Sequence, residues 1–314
     1  MKVTIVYPYD MDRVHVLHRY YVNKGYAVSV VKDSIDLEGL ETDVLHCILR
    51  DFTFVKSMSL YKKRHPNIKL IFDVIQVEDI VNMNFFEKKR WRHMRDSYLY
   101  LADLILCSSE SIKQQISRAS VVYSCKEEST FRTSPEFNAD ELSLCVLMEE
   151  KSLDLVGILD VLRLCSSQKR CVLHIIGNSV QKENFIQNVL NVDVNVVDHK
   201  TLRNASQRQD VFDQCQYGFN MLHEQGMCQT SLEYMSAGLP IINSVTGDME
   251  QFCSVWDVGL NVHTNTVKGV AYEISHETKQ KQLERRKQVR NLYNTYFTKD
   301  VFFETLDKKA GGIL

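Results

Sequence analysis

The chain has 314 residues, a formal net charge of −2 and 25% charged residues. That length suits about two domains, and so balanced a charge gives no global pull on nucleic acid. No apolar run reaches the roughly 18–20 residues that span a bilayer. The opening run, Met1 to Tyr7, is too short for a secretory signal and lacks the small-residue cleavage site, so a cytoplasmic location is expected. The nine cysteines include no CxxC pair. Cys171 and His174 are three apart, but in a strand that spacing points them to opposite faces, so they cannot share a metal. The cysteines read as small buried hydrophobes of a reducing compartment, and no metal site is expected.

Strand-like and helix-like runs alternate from the start. Strands are predicted over 3–7, 27–31, 44–49, 68–75, 103–108 and 121–124, and helices over 13–24, 54–64, 85–101 and 111–117. Such alternation argues for a parallel sheet covered by helices on both faces, with ligands beyond the carboxyl ends of its strands. The first loop at that end, Pro8-Tyr9-Asp10-Met11-Asp12-Arg13, holds no glycine where a dinucleotide fold places G-x-G-x-x-G, so NAD and FAD are disfavoured. Asp10, Asp12 and Arg13 either cap the next helix or contact a polar acceptor. Asp73, near the end of the fourth strand, is a candidate site residue by position, and Gln76, Glu78 and Asp79 follow in a loop that reads equally well as solvated. The most basic stretch is Lys88-Lys89-Arg90-Trp91-Arg92-His93-Met94-Arg95. With Trp91, Met94, Leu99 and Leu101 at roughly helical spacing, it is either a solvated face with one packed aromatic or a surface for peripheral contact with an anionic membrane.

Between 124 and 141 the alternation lapses into Ser, Thr and mixed charge around Pro135, which sets an N-terminal domain over 1–135 and a second domain over 136–296. Alternation then resumes, with strands over 142–148, 172–176, 194–197 and 217–222 and helices beginning at Lys151 and Ser152 and over 183–190 and 208–214. The stretch from Met221 to Asn261 reads as loop, helix, tight turn, buried strand and loop. Polar residues gather over 224–231. Thr230, Ser231 and Glu233 fall where the helix begins and its N–H groups are unpaired. Gly238 and Pro240 end that helix, and Ile241 and Ile242 begin a strand buried on both faces. Residues 252–261 read as a short segment and turn. Residues 276–296, rich in Lys, Arg and Gln, read as a surface helix near a hinge. The last helix, within 297–314, carries Phe302, Phe303 and Leu306 on an apolar face suited to crossing back onto the first domain.

Lys151, Gly177, Thr230 and Glu233 all stand at strand–helix junctions of one sheet. Glycine at 177 lets a ligand approach the backbone, Asn178 adds polar reach, and Lys151 offers a point charge to a phosphate. With Gln229 and Ser231 they suit a nucleoside diphosphate gripped from one side, in the cleft between two α/β halves.

The order of these residues resembles the GT-B glycosyltransferases, specifically the bacterial family-4-like enzymes of surface polysaccharide and glycoprotein assembly. Glu233-Tyr234-Met235-Ser236-Ala237-Gly238-Leu239-Pro240-Ile241-Ile242 matches the second half of that family's Glu-x7-Glu motif region. The Ile-Ile-Gly turn at Gly177 and the lysine at Lys151 match too, and Phe72-Asp73, Trp91-Arg92, Arg95-Asp96 and Ala102-Asp103 look like its acceptor-side region. The resemblance implies two Rossmann-like parallel-sheet domains facing a cleft. It also implies transfer of a hexose from a nucleotide diphosphate sugar to a glycan, glycoprotein or lipid-linked acceptor, with retention and with no cofactor or metal. Glu233 would hold the ribose, Lys151 the phosphate, and Glu224 and Gln225 would approach the sugar. Gln225 stands where the motif has its first glutamate, and Glu149-Glu150 stand near the place of a basic residue that grips the diphosphate. Those two departures keep a second expectation open: a catalytically silent GT-B subunit that stabilises or activates a partner glycosyltransferase or binds glycan.

Overall fold

The computed structural model describes the whole chain except residues 9–11, 33–38, 77–82, 127–131, 133–134, 136–137, 139, 150–152, 203 and 223–227. The described residues form two units, Met1–Cys125 with Lys299–Leu314, and Lys126–Thr298.

The first unit is built on a six-stranded parallel sheet, β1 (Lys2–Tyr7), β2 (Ala27–Lys32), β3 (Val44–Leu49), β4 (Lys69–Val74), β5 (Leu104–Cys107) and β6 (Ser120–Val121), in the order β2-β1-β3-β4-β5-β6. The inner strands are near-continuous apolar runs because helices cover both faces. All six residues of β3 are buried, whereas β2, at the sheet edge, is mostly exposed and carries Ser29 and Lys32. Helix α1 (Asp12–Asn23) buries Val14, Val16, Leu17, Tyr20 and Tyr21. It stops at Gly25, whose φ of +80° lets Tyr26 N–H return to the Tyr21 carbonyl at 3.1 Å, a closure that favours glycine. The helices α2 (Val55–Arg64), α3 (Phe85–Ser97) and α4 (Glu110–Gln115) follow. The last helix of the chain, Lys299–Ala310, belongs to this unit: Phe302, Leu306 and Ala310 join the buried cluster of Leu17, Tyr20 and Tyr21, and Tyr20 donates to Asp307 at 2.6 Å.

Helix α3 begins with a capping box, Asn84 accepting from Glu87 N–H while Glu87 accepts from Asn84 N–H. Its tryptophan faces inward. Trp91 packs edge-on to Phe52, and the Arg95 guanidinium lies over it at 4.8 Å. The outward aromatics are Phe85 and Phe86, 75% and 80% exposed.

The second unit repeats the plan with β7 (Leu142–Leu147), β8 (Cys171–Ile176), β9 (Asn195–Asp198), β10 (Tyr217–Asn220), β11 (Ile241–Asn243) and β12 (Gly259–Asn261), in the parallel order β12-β11-β10-β7-β8-β9. Its helices are α5 (Leu155–Ser166), α6 (Lys182–Leu190), α7 (Ala205–Gln214), α8 (Gln229–Ser236), α9 (Asp248–Trp256), α10 (Val267–His276) and α11 (Lys279–Tyr296), and the chain ends with α12 (Lys299–Ala310). Two segments differ from the sequence expectation. Residues 252–261 are not a short segment and turn: α9 runs to Trp256, Asp257 closes it in the left-handed region at φ 52°, and β12 extends the sheet.

Helix α11 is not a surface helix either. It buries Gln282, Arg285 and Arg286 beside Val289, Leu292 and Tyr293. Buried guanidinium groups are tolerated when they meet carboxylates or carbonyls. Arg285 meets Asp257, Glu273 and Glu277 at 2.9, 3.2 and 2.7 Å, and Arg286 donates to the Phe212 and Cys215 carbonyls.

Candidate functional site

The carboxyl ends of β7, β8, β10, β11 and β12 carry the candidate site, and α8 is its centre. This helix is held tightly. Tyr234 packs against Gly218, where a Cβ would lie 2.7 Å from the ring, and its hydroxyl accepts from Leu147 N–H at 3.1 Å and donates to the Cys145 carbonyl at 3.3 Å. Every residue from Thr230 to Ser236 is buried. The helix ends at Gly238, φ +70°, where Leu239 N–H reaches back to the Tyr234 carbonyl at 2.9 Å. Pro240, which cannot continue a helix, then leads into β11.

The start of α8 is fixed by a chain of amides that the sequence reading missed. Asn220, Asn243 and Asn261 end β10, β11 and β12 in register. Asn220 Nδ2 donates to Asn243 Oδ1 at 2.7 Å, and Asn243 Nδ2 donates to Asn261 Oδ1 at 2.8 Å. Asn261 in turn donates to the Glu250 carbonyl at 2.9 Å. At the other end Asn220 Oδ1 accepts from Ser231 Oγ at 3.1 Å and from Cys228 Sγ at 2.9 Å, and Cys228 Sγ accepts from Ser231 N–H as the helix cap. Three parallel strands are thus tied to the helix start. Ser231 is fully buried in this network, Thr230 is buried and Gln229 is partly exposed.

Glu233, one turn into α8, is held by two cations. Arg208 Nη1 donates to Oε1 at 2.9 Å, and Lys126 donates to Oε2. Arg208 also reaches Glu149 Oε1 with Nη2 at 2.7 Å and the Leu202 carbonyl with Nε at 2.7 Å. Glu149 follows β7 and lies over Gly177, where a Cβ would come 2.8 Å from its Cγ and 3.0 Å from the Met148 carbonyl carbon. Gly177, at φ +105°, therefore serves a backbone approach that a side chain would block. Its N–H donates to the Lys200 carbonyl at 2.6 Å, and its carbonyl accepts from Lys182 Nζ at 2.8 Å. Asn178, the next residue, is exposed. The same edge carries a stacked histidine pair, His174 Nδ1 and His199 Nε2 at 2.9 Å. Burial pushes His174 down to about 4, with the charge of His199 adding to it, and burial also lowers His199.

Of the residues singled out from the sequence, Gly177, Thr230, Ser231 and Glu233 gather on this edge with Asn178 and Gln229. Lys151, Glu224, Gln225 and Asp10 lie outside the described residues, as do Glu78, Asp79 and Glu150. Asp73 belongs to the first unit and is fully buried. Both its oxygens accept from Arg13, at 2.6 and 2.7 Å, and His46 Nε2 stands 3.5 Å away. Its carboxylate has no surface to offer an acceptor. Arg13, read as a cap or an acceptor contact, instead spends itself on Asp73, Ser124 Oγ and the Val122 carbonyl. Arg208 and Lys126 are the functional candidates the sequence did not reveal: one opened an ordinary polar helix, the other sat in the linker.

No family model matches the chain, and no curated protein does. Solved structures do. The apo form of the lipopolysaccharide outer core galactosyltransferase WaaB superposes over 100% of both chains with a TM-score of 0.72 and 14% identity. Anabaena Alr3699/HepE in complex with UDP and glucose superposes over 100% of both chains with a TM-score of 0.73 and 9% identity. The fold is GT-B. WaaG, a glycosyltransferase involved in lipopolysaccharide biosynthesis, shares it over 99% of this chain and 100% of its own, with a TM-score of 0.60 and 10% identity. The GT-B architecture, two six-stranded parallel sheets with flanking helices, is the one expected from the alternation of elements and from the motif at Glu233.

Proposed function

We propose that the protein transfers a sugar from a nucleoside diphosphate sugar to a glycan, glycoprotein or lipid-linked acceptor. The observation that carries this reading is the chain of contacts on one sheet edge, Gly177 to Glu149 to Arg208 to Glu233, beside the fixed start of α8. It is built around the residues that carry the sequence resemblance. Alr3699/HepE holds UDP with glucose, so UDP is the first nucleotide to try.

In the proposed scheme Glu233 accepts from ribose hydroxyls, while Lys151 and the Thr230 N–H at the start of α8 face the diphosphate, where negative charge grows as the sugar leaves. The bond from the sugar's anomeric carbon to the diphosphate breaks, and the acceptor oxygen bonds to that carbon while its proton passes to the departing diphosphate. Glu224 and Gln225 approach the sugar. We assign the transfer as a hexosyl transfer with retention and without a metal, so activity is expected to survive chelation by EDTA. The acceptor reaches the protein at the inner face of the membrane, with α3 making the peripheral contact.

The test is direct. Purified protein is incubated with UDP- and GDP-sugars, and release of nucleotide is followed for wild type and Glu233→Ala. Turnover by wild type and its loss in the variant support the enzyme. Nucleotide binding without turnover of any donor favours the second reading, which Gln225 motivates: a catalytically silent subunit that stabilises or activates a partner glycosyltransferase or binds glycan.

A further inference from the structure

Glu149 is an unexpected neighbour for a diphosphate. It sits over the Gly177 turn, beside the carboxyl end of β8, and a carboxylate there repels bound phosphates. Its charge is met by Arg208 at 2.7 Å, the one ion-pair partner of Glu149 among the described residues. The guanidinium is pinned on three sides, by Glu149, Glu233 and the Leu202 carbonyl. Its side chain is only 15% exposed. Among the described residues those contacts use three of its five N–H groups. Glu233 has a second cation in Lys126, so loss of Arg208 would leave Glu149 as the bare charge.

We propose that Arg208 is the charge-compensating residue of the donor site, a positioning residue that cancels Glu149 so that a nucleoside diphosphate can be held beside it. The proposal rests on the donor-binding reading above. Arg208 thereby does from α7 the electrostatic work that the acidic Glu149-Glu150 step after β7 cannot do. Two consequences follow from Coulomb's law. The effect of Arg208 grows with the number of phosphates on the ligand, and Glu149 opposes diphosphate binding.

Calorimetry of uridine, UMP and UDP, with the guanosine series in parallel, tests this on wild type, Arg208→Met, Glu149→Gln and the double variant. Circular dichroism and melting serve as the check on folding. Arg208→Met is expected to weaken UDP about tenfold or more, UMP less, and uridine little, with the loss shrinking at high salt. Glu149→Gln, which removes charge while keeping shape, is expected to tighten UDP several-fold. The double variant should recover most of the affinity lost in Arg208→Met. Equal loss for uridine and UDP in Arg208→Met would place its effect on the ribose or the fold and overturn the proposal, and so would weaker UDP binding in Glu149→Gln. If wild type binds none of the six ligands, the donor-binding reading itself falls, and this inference with it.

Discussion

Asp73 and Glu233 illustrate how a small residual exposure divides residues that look alike in a sequence: both are buried, but the Glu233 side chain keeps 10% of its surface and that of Asp73 keeps none. Each is an acid at a strand or helix junction, and each was a candidate on position alone. Asp73 is sealed: burial would push its carboxyl up, but the Arg13 charge and its two hydrogen bonds, with His46 close by, override that and hold it at about 2. An acid lowered in the folded state adds stability above its unfolded value of about 3.9, and that stability is lost as pH falls towards 2. The first unit should therefore lose stability steeply below about pH 4. Asp73→Asn should cost that unit about 3–5 kcal/mol by stranding the Arg13 charge, read by urea denaturation. Nucleotide affinity, carried by the other unit in our proposal, should be unchanged. In the second unit the sign is the same but the window is higher. His174, lowered to about 4 by burial, adds stability above the ordinary histidine value of about 6.5 and loses it as pH drops through 4. His174→Asn should flatten the melting temperature of this unit between those pH values. The exposure that remains to a buried acid depends on what packs across the sheet, so residue type and position alone did not separate Asp73 from Glu233. Arg208 was hidden for the same reason: its partners Glu149 and Glu233 are distant in sequence and meet only at the strand ends.

At the scale of elements, α8 is a helix whose start is set by the strands beneath it. Asn243→Ala would leave Asn220 Nδ2 and Asn261 Oδ1 without their partner, at a cost of about 1–3 kcal/mol. It should also weaken UDP by loosening Ser231, whereas Ser244→Ala, one residue on in the loop, should leave UDP affinity unchanged. The helix itself was legible from Gly238 and Pro240 at its end. The amide ladder was not, because three asparagines spaced far apart show no pattern until parallel pairing puts them in register. Helix α11 shows the converse failure: its Arg and Gln residues look solvated, yet Arg285 and Arg286 are buried on carboxylates and carbonyls. On α3, Trp91 points inward while Phe85 and Phe86 point out at the head of Lys89, Arg90 and Arg92. A paired change, Phe86→Asp with Phe85→Asp, should abolish co-sedimentation with vesicles rich in anionic lipid and spare sugar transfer to a soluble acceptor. Binding of the variant equal to wild type would refute membrane contact through this helix.

For the molecule as a whole, alternation of apolar runs with helical ones was enough to reach two parallel sheets, because buried parallel strands must be near-continuously apolar and must be joined by crossovers. The GT-B motif at Glu233 then named the architecture. Each unit has its own sheet and its own buried core, so a ligand of the second sheet should stabilise the second unit first. At about a hundred times its Kd, UDP adds about 2.7 kcal/mol, and this should appear as a rise in the melting of that unit. The cysteines make the assignment measurable. All nine are free and buried, and burial pushes thiols such as Cys47, Cys107 and Cys253 up, away from the reactive thiolate. The native chain is therefore silent to an alkylating reagent, and each label records an opening event. Cys47, Cys107 and Cys125 report the first unit, while Cys145, Cys165, Cys171, Cys215, Cys228 and Cys253 report the second. Mass spectrometry of the labelled peptides would time the breathing of each half separately, with no probe added to the protein.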